Sequence, residues 1–140
     1  MLHSGKSIVI IHDSKKGNNY KTAQIISTYF NAPSYAVGDN PDISGYEIII
    51  FVIPNVGDEE LPQSMENFLC NLKIINKRYV VCELGNYFGF EKYGGCKQFA
   101  IKILNALGWK KISDISIDSL PELDLASLNN WLKNLVEFLC

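Results

Sequence analysis

Ser7-Ile8-Val9-Ile10-Ile11, followed two residues later by Ser14-Lys15-Lys16-Gly17-Asn18-Asn19, is the stretch on which the reading of this chain turns. The first run is apolar and β-branched, the pattern of a buried strand. Beyond the loop, in Tyr20 to Phe30, Ala23, Ile26 and Phe30 recur at i, i+3 and i+7, which predicts one face of a helix. A strand, a tight polar loop and a helix start make a nest of backbone N–H groups. The helix dipole adds partial positive charge there, and a phosphate is the natural guest. Gly17 lets the backbone close on an anion, while Ser14, Asn18 and Asn19 carry side-chain donors. An ordinary strand-to-helix connection would also carry Gly, Asn and Ser. The loop alone leaves both readings open.

The rest of the chain repeats the same alternation. Pro33, in Ala32-Pro33-Ser34-Tyr35-Ala36-Val37, demotes the second strand to a sheet edge. Gly38-Asp39-Asn40-Pro41-Asp42 is turn chemistry, and the connection on to Tyr46 is short for a full helix. Ile48-Ile49-Ile50-Phe51-Val52-Ile53 predicts a central parallel strand covered on both faces. It ends in a second polar loop, Pro54-Asn55-Val56-Gly57-Asp58-Glu59-Glu60-Leu61-Pro62, and Met65, Phe68, Leu69 and Leu72 then mark a helix stripe. Tyr79-Val80-Val81-Cys82 reads as another buried strand, followed by a third loop, Glu83-Leu84-Gly85-Asn86-Tyr87-Phe88-Gly89-Phe90. Ala100, Ile103, Leu104 and Leu107 make a helix face that stops at Gly108, a suitable residue just past a helix end. Ile115 and Ile117 alternate with Asp114, Ser116 and Asp118, as in a half-exposed edge strand. The last helix has Asp124 as its N-cap and buries Leu128, Trp131, Leu132, Leu135 and Leu139.

Strands alternating with helices predict one α/β domain spanning residues 1–140, a three-layer α/β/α sandwich around a five-stranded parallel sheet with right-handed crossovers. Two marked edges fit the strand order 2-1-3-4-5, in which a ligand sits beyond the carboxyl ends where strands 1 and 3 part. The loops after strands 1, 3 and 4 all fall at that end. Their convergence favours phosphate over plain connector for the first.

The totals bound the function. At 140 residues the chain suits one domain, and 47% hydrophobic with 20% charged residues is globular composition. The longest apolar run is far short of the roughly 20 residues a membrane helix needs, and Met1 to Lys6 lacks the apolar core of a secretory signal. A cytoplasmic protein with no membrane association is expected. Net charge is −2, with thirteen basic and fifteen acidic residues interspersed, so no field argues for nucleic acid. Cys70, Cys82, Cys96 and Cys140 are scattered without zinc-type spacing, and no metal site is expected; Cys82 in an apolar strand and Cys70 in an amphipathic helix are expected to be buried free thiols. Gly5-Lys6-Ser7 has no room upstream for the rest of a phosphate-binding Walker loop. Strand 3 ends in Ile53-Pro54-Asn55 without the acceptor Asp of a receiver domain. No nucleophile triad is suggested, and His12 reads as a local hydrogen-bonding residue rather than a catalyst.

Three stretches resemble flavodoxin. Ser14-Lys15-Lys16-Gly17-Asn18-Asn19 is similar to the family's phosphate loop, Ser/Thr-x-Thr-Gly-Asn-Thr; Val56-Gly57-Asp58-Glu59 to the Met-Gly-Asp-Glu turn of short-chain members; and Gly85-Asn86-Tyr87-Phe88-Gly89-Phe90 to the third flavin loop, Gly-Asp-Gln-x-Gly-Tyr. The resemblance covers essentially the whole chain. It implies a non-covalent flavin mononucleotide (FMN) and electron transfer between larger redox partners, by a monomeric carrier with no substrate of its own. The implied cofactor residues are Ser14, Lys15, Lys16, Gly17, Asn18 and Asn19 for the phosphate, with Asn55, Val56, Gly57, Asp58, Glu59, Leu84, Gly85, Asn86, Phe88 and Phe90 around the ring. Val56 takes the inner wall and Phe90 the outer one. Asp58 and Glu59 place negative charge near the ring, which disfavours its negatively charged reduced form.

The chain also departs from the pattern. Lys16 and Asn19 stand for threonines, Val56 for a larger side chain and Asn86 for a common Asp. The mild net charge differs from the strongly acidic balance of free flavodoxins. It is shared by the flavodoxin-like activator of class Ib ribonucleotide reductase, whose loops these also resemble. That family has a glycine-rich second loop without Asp-Glu and lacks the long final strand and helix. A flavin-free binding module on the same fold is the third alternative.

Overall fold

The computed structural model describes residues 7–15, 17–55, 61–74, 76–85, 95–119 and 122–139. Ile8–His12 forms strand β1, buried along its whole length, and Gly17–Phe30 forms helix α1. Strand β2 is short, Ser34–Ala36, and leads into a single 3-10 turn over Val37–Asp39. Strand β3 spans Ile48–Pro54, helix α2 Gln63–Cys70 and strand β4 Arg78–Gly85. Helix α3 spans Gly95–Ala106, strand β5 Lys110–Asp118 and helix α4 Leu125–Leu139.

The five strands make one sheet in the order β2-β1-β3-β4-β5, every pairing parallel. Alternate residues of each strand point to opposite faces, and two separate cores result. Ile8, Ile10, Ile50, Val52, Val80, Cys82 and Ile117 meet Ala23, Ile26 and Phe30 of α1 and Leu128, Trp131, Leu132 and Leu135 of α4. Val9, Ile11, Ile49, Phe51, Ile53 and Val81 meet Met65 and Leu69 of α2 and Ala100 and Leu104 of α3. Both faces of β3 are covered, and its six isoleucine, phenylalanine and valine residues are accordingly buried.

The helix ends obey local chemistry. Gly108 closes α3 at φ +81°, and a side chain there would meet Asn76 Oδ1 at 3.0 Å. Asp124 Oδ1 accepts the Ser127 N–H at 3.1 Å, the expected N-cap of α4.

Two expectations need correction. Strand β4 runs three residues past Cys82, through Glu83, Leu84 and Gly85, because both neighbours pair with it there: Ile53 and Pro54 from β3, Ser116, Ile117 and Asp118 from β5. Cys70 is exposed rather than buried. It follows Leu69 by one residue, about 100° around the helix from the Met65–Leu69 stripe. Cys82 is buried as expected, and so is Cys96; burial pushes the Cys82 thiol up to about 12. Cys140 lies outside the described residues. No described helix is long and apolar enough to cross a membrane, and the described residues hold no cluster of metal-ligating side chains.

Candidate functional site at the carboxyl end of the sheet

Strands β1 and β3 are neighbours, yet their outgoing chains diverge: from β1 the chain passes through α1 to β2 on one side, from β3 through α2 to β4 on the other. The crevice this opens lies at the carboxyl ends of the strands. On the β1 side, Gly17 begins α1 at φ +76°, in the left-handed region, with nothing within 4 Å of where a Cβ would sit. The first turn of α1 carries no acidic side chain, so its first N–H groups, which have no partner within the helix, and its positive dipole end face no negative charge of their own helix.

Asn18 Nδ2 donates to the Ser119 carbonyl at 2.8 Å, although 101 residues separate them. Ser119 in turn donates its N–H to the Gly85 carbonyl at 2.9 Å, and its hydroxyl reaches the same oxygen at 3.4 Å. One step along β4, the Leu84 carbonyl accepts the Asn55 N–H at 2.7 Å. Asn55 is buried, and its Oδ1 accepts the Cys96 thiol at 3.7 Å. Hydrogen bonds thus join the ends of β3, β4 and β5 to the start of α1.

Asn19 Oδ1 and, one turn on, Thr22 Oγ1 are buried without a hydrogen-bond partner among the described residues. Such a group is costly unless something bonds to it. A half-turn of the Asn19 amide presents Nδ2 in place of Oδ1, so this side chain can serve a ligand hydroxyl or a phosphate oxygen. The open Gly17 backbone, the uncompensated start of α1 and the orphaned Asn19 amide fit the phosphate and polyol of a flavin nucleotide.

Among the other expected residues, Lys15 is exposed and pairs with Asp39 Oδ1 at 2.8 Å, turning its charge toward the segment after β2. The Ser14 carbonyl receives the His12 Nδ1 proton at 2.7 Å, and the His12 ring meets Tyr20 edge-on at 5.7 Å. Burial lowers the His12 pKa from 6.5, outweighing the opposite pull of the Ser14 bond, Asp13 and Asp39. His12 is therefore a neutral donor that fixes the loop, as its residue type suggested. Lys16, Val56, Gly57, Asp58, Glu59, Asn86, Phe88 and Phe90 lie outside the described residues. Three partners escaped the sequence reading: Ser119, Asp13, which accepts the Ser64 hydroxyl at 2.8 Å, and Cys96 as a donor to Asn55. Only Ser119 carried a signal, since it follows the last strand at this same end.

An open, doubly wound α/β sheet of this strand order places its crevice beyond the carboxyl ends of the strands, at the β1/β3 divergence. More particularly, the chain has the flavodoxin fold. The structure of flavodoxin 1 from Bacillus cereus matches over 94% of this chain and 96% of its own, with a TM-score of 0.75 and 22% identity. Fusobacterium nucleatum flavodoxin bound to FMN matches over 96% and 95%, at a TM-score of 0.70 and 17% identity. A short-chain flavodoxin associated with a bacterial microcompartment matches over 96% and 98%, at 0.71 and 18%. No protein-family model and no curated protein sequence matches the chain, so the likeness is one of fold.

Proposed function

We propose that the chain binds FMN at this crevice and carries electrons between larger redox proteins. The observation that carries the reading is the hydrogen-bonded convergence of Asn18, Ser119, Gly85, Leu84 and Asn55 at one end of the sheet, beside an anion-ready helix start. The fold supports it, since two of the matching flavodoxin structures are bound to FMN.

Under this reading, the backbone N–H groups at the start of α1 hold the phosphate, helped by the dipole and by the Ser14 hydroxyl. Asn19 bonds the phosphate or the adjoining hydroxyls. Lys16 adds a charge-assisted contact where flavodoxins have a hydroxyl. The segments after Asn55 and Gly85 form the two walls of the ring, with Val56 and Phe90 in those places by resemblance. Bound FMN supplies one- and two-electron redox chemistry through its ring. The chain's own task is to hold that ring at the carboxyl end of the sheet, with Asp58 and Glu59 near it by resemblance.

The test is an FMN titration of purified protein. Flavin fluorescence is expected to be quenched at micromolar concentration, with a shifted visible absorption band. Absence of binding in that range would falsify the reading and favour a flavin-free module.

A further inference from the structure

A carboxylate sits inside the sheet two residues before Gly85, where the candidate ring loop begins. Glu83 is 0% exposed, in a strand whose other side chains from Tyr79 to Leu84 are apolar. Alternation sends it to the α3 face, where Oε2 accepts the backbone N–H of Lys97 at 2.6 Å and Oε1 the Ser116 hydroxyl at 3.0 Å. The donors come from two other elements, the first turn of α3 and the adjoining strand β5.

The Lys97 side chain, itself largely buried, continues the cluster: its ammonium pairs with Asp114 Oδ1 at 2.8 Å, and Lys111 takes Asp114 Oδ2 at 2.5 Å. Burial pushes the Asp114 carboxyl up, but bonds from Lys111 and Lys97 more than offset this and hold it below its ordinary range. Asp114 is thus paired with two ammonium groups, while the donors to Glu83 are a backbone N–H and a hydroxyl.

A buried carboxylate is a poor means to stability, since an apolar side chain of similar volume commonly does as well or better. Its gain is geometric. The bond to Lys97 fixes the span between the exit of β4 at Gly85 and the entry of α3, the two points between which residues 86–94 must run. We propose that Glu83 is a positioning residue for the flavin-ring side of the crevice, acting through the α3 entry and the Leu84–Gly85 backbone. This rests on the FMN reading above.

The experiment compares wild type with Glu83→Ala and Glu83→Gln. The glutamine keeps an acceptor for Lys97 and a polar partner for Ser116 while removing the charge. Exchange of the Lys97 amide hydrogen, measured without flavin, is expected to be slow in wild type and Glu83→Gln and much faster in Glu83→Ala. FMN and riboflavin, which share the ring, are expected to weaken together, each by roughly 10-fold or more in Glu83→Ala and by under about threefold in Glu83→Gln. A helix cap of purely structural role would lower the unfolding midpoint of Glu83→Ala and leave both affinities of the folded protein unchanged. That result, or loss confined to FMN, overturns the proposal. If Glu83→Ala does not fold, Ser116→Ala removes one donor instead, and a common few-fold loss for both flavins is expected; no loss overturns the proposal. A wild-type chain that binds no flavin sinks the FMN reading itself and takes the role of Glu83 with it. A wild-type chain that binds flavin no better than Glu83→Ala sinks Glu83 alone.

Discussion

His12 shows how a single residue ties folding to solvent. Its ring is buried at the end of β1 and its pKa is lowered, chiefly by that burial. In the unfolded chain it takes a proton near the ordinary 6.5, whereas the folded protein resists until lower pH. Below 6.5 the unfolded state therefore binds more protons, and stability falls as pH falls, levelling off only beneath the folded pKa. Urea unfolding between about pH 7.5 and pH 5 should show this loss, and His12→Gln should flatten it; an unchanged slope in the variant would assign the effect elsewhere. Lys16 offers a second test. Lys16→Glu should weaken FMN by roughly 10- to 100-fold while riboflavin, which has no phosphate, changes little. Equal loss for both ligands would remove Lys16 from the phosphate site.

At the scale of elements, periodicity proved a good guide wherever one physical pressure dominated. In α4 the amphipathic stripe is unmixed, and Leu128, Trp131, Leu132, Leu135 and Leu139 are all buried as the spacing required. Leu132 has no exposure. Leu132→Ala should cost about 2–5 kcal/mol in equilibrium unfolding, through lost burial and the cavity left behind. A change below about 1 kcal/mol would mean that α4 repacks freely. The end of β4 was harder to read. Glu83 looks like the start of a loop because a charge rarely enters a buried strand, and donors on α3 and β5 help to make it tolerable. In α2 the stripe also blurs: Met65 and Leu69 are buried and Phe68 is only partly covered, while Leu72, expected on the same stripe, lies beyond the helix end at Cys70.

Across the whole molecule, fold and site differ in how much the sequence disclosed. The strand order was legible because Pro33 and the alternation around Ile115 mark two edges and the uniform run Ile48–Ile53 marks the centre. The place of the crevice followed from that order. Its wiring did not. Asn18 has two amide donors and nothing local that says where they go, and Lys15 has several carboxylates within chain reach before folding selects Asp39. Pairings set by tertiary closure leave no trace in local spacing.

The bond from Asn18 to Ser119 also has a consequence in time. Its ends are 101 residues apart. A ribosome adding about 5–20 residues per second makes Asn18 roughly 5–20 s before Ser119. During that interval β1 and the start of α1 exist without the strand-end contact that holds them in the finished protein. The crevice therefore cannot close before Ser119 has been made, and a growing chain released before β5 would leave the Asn18 amide without its carbonyl.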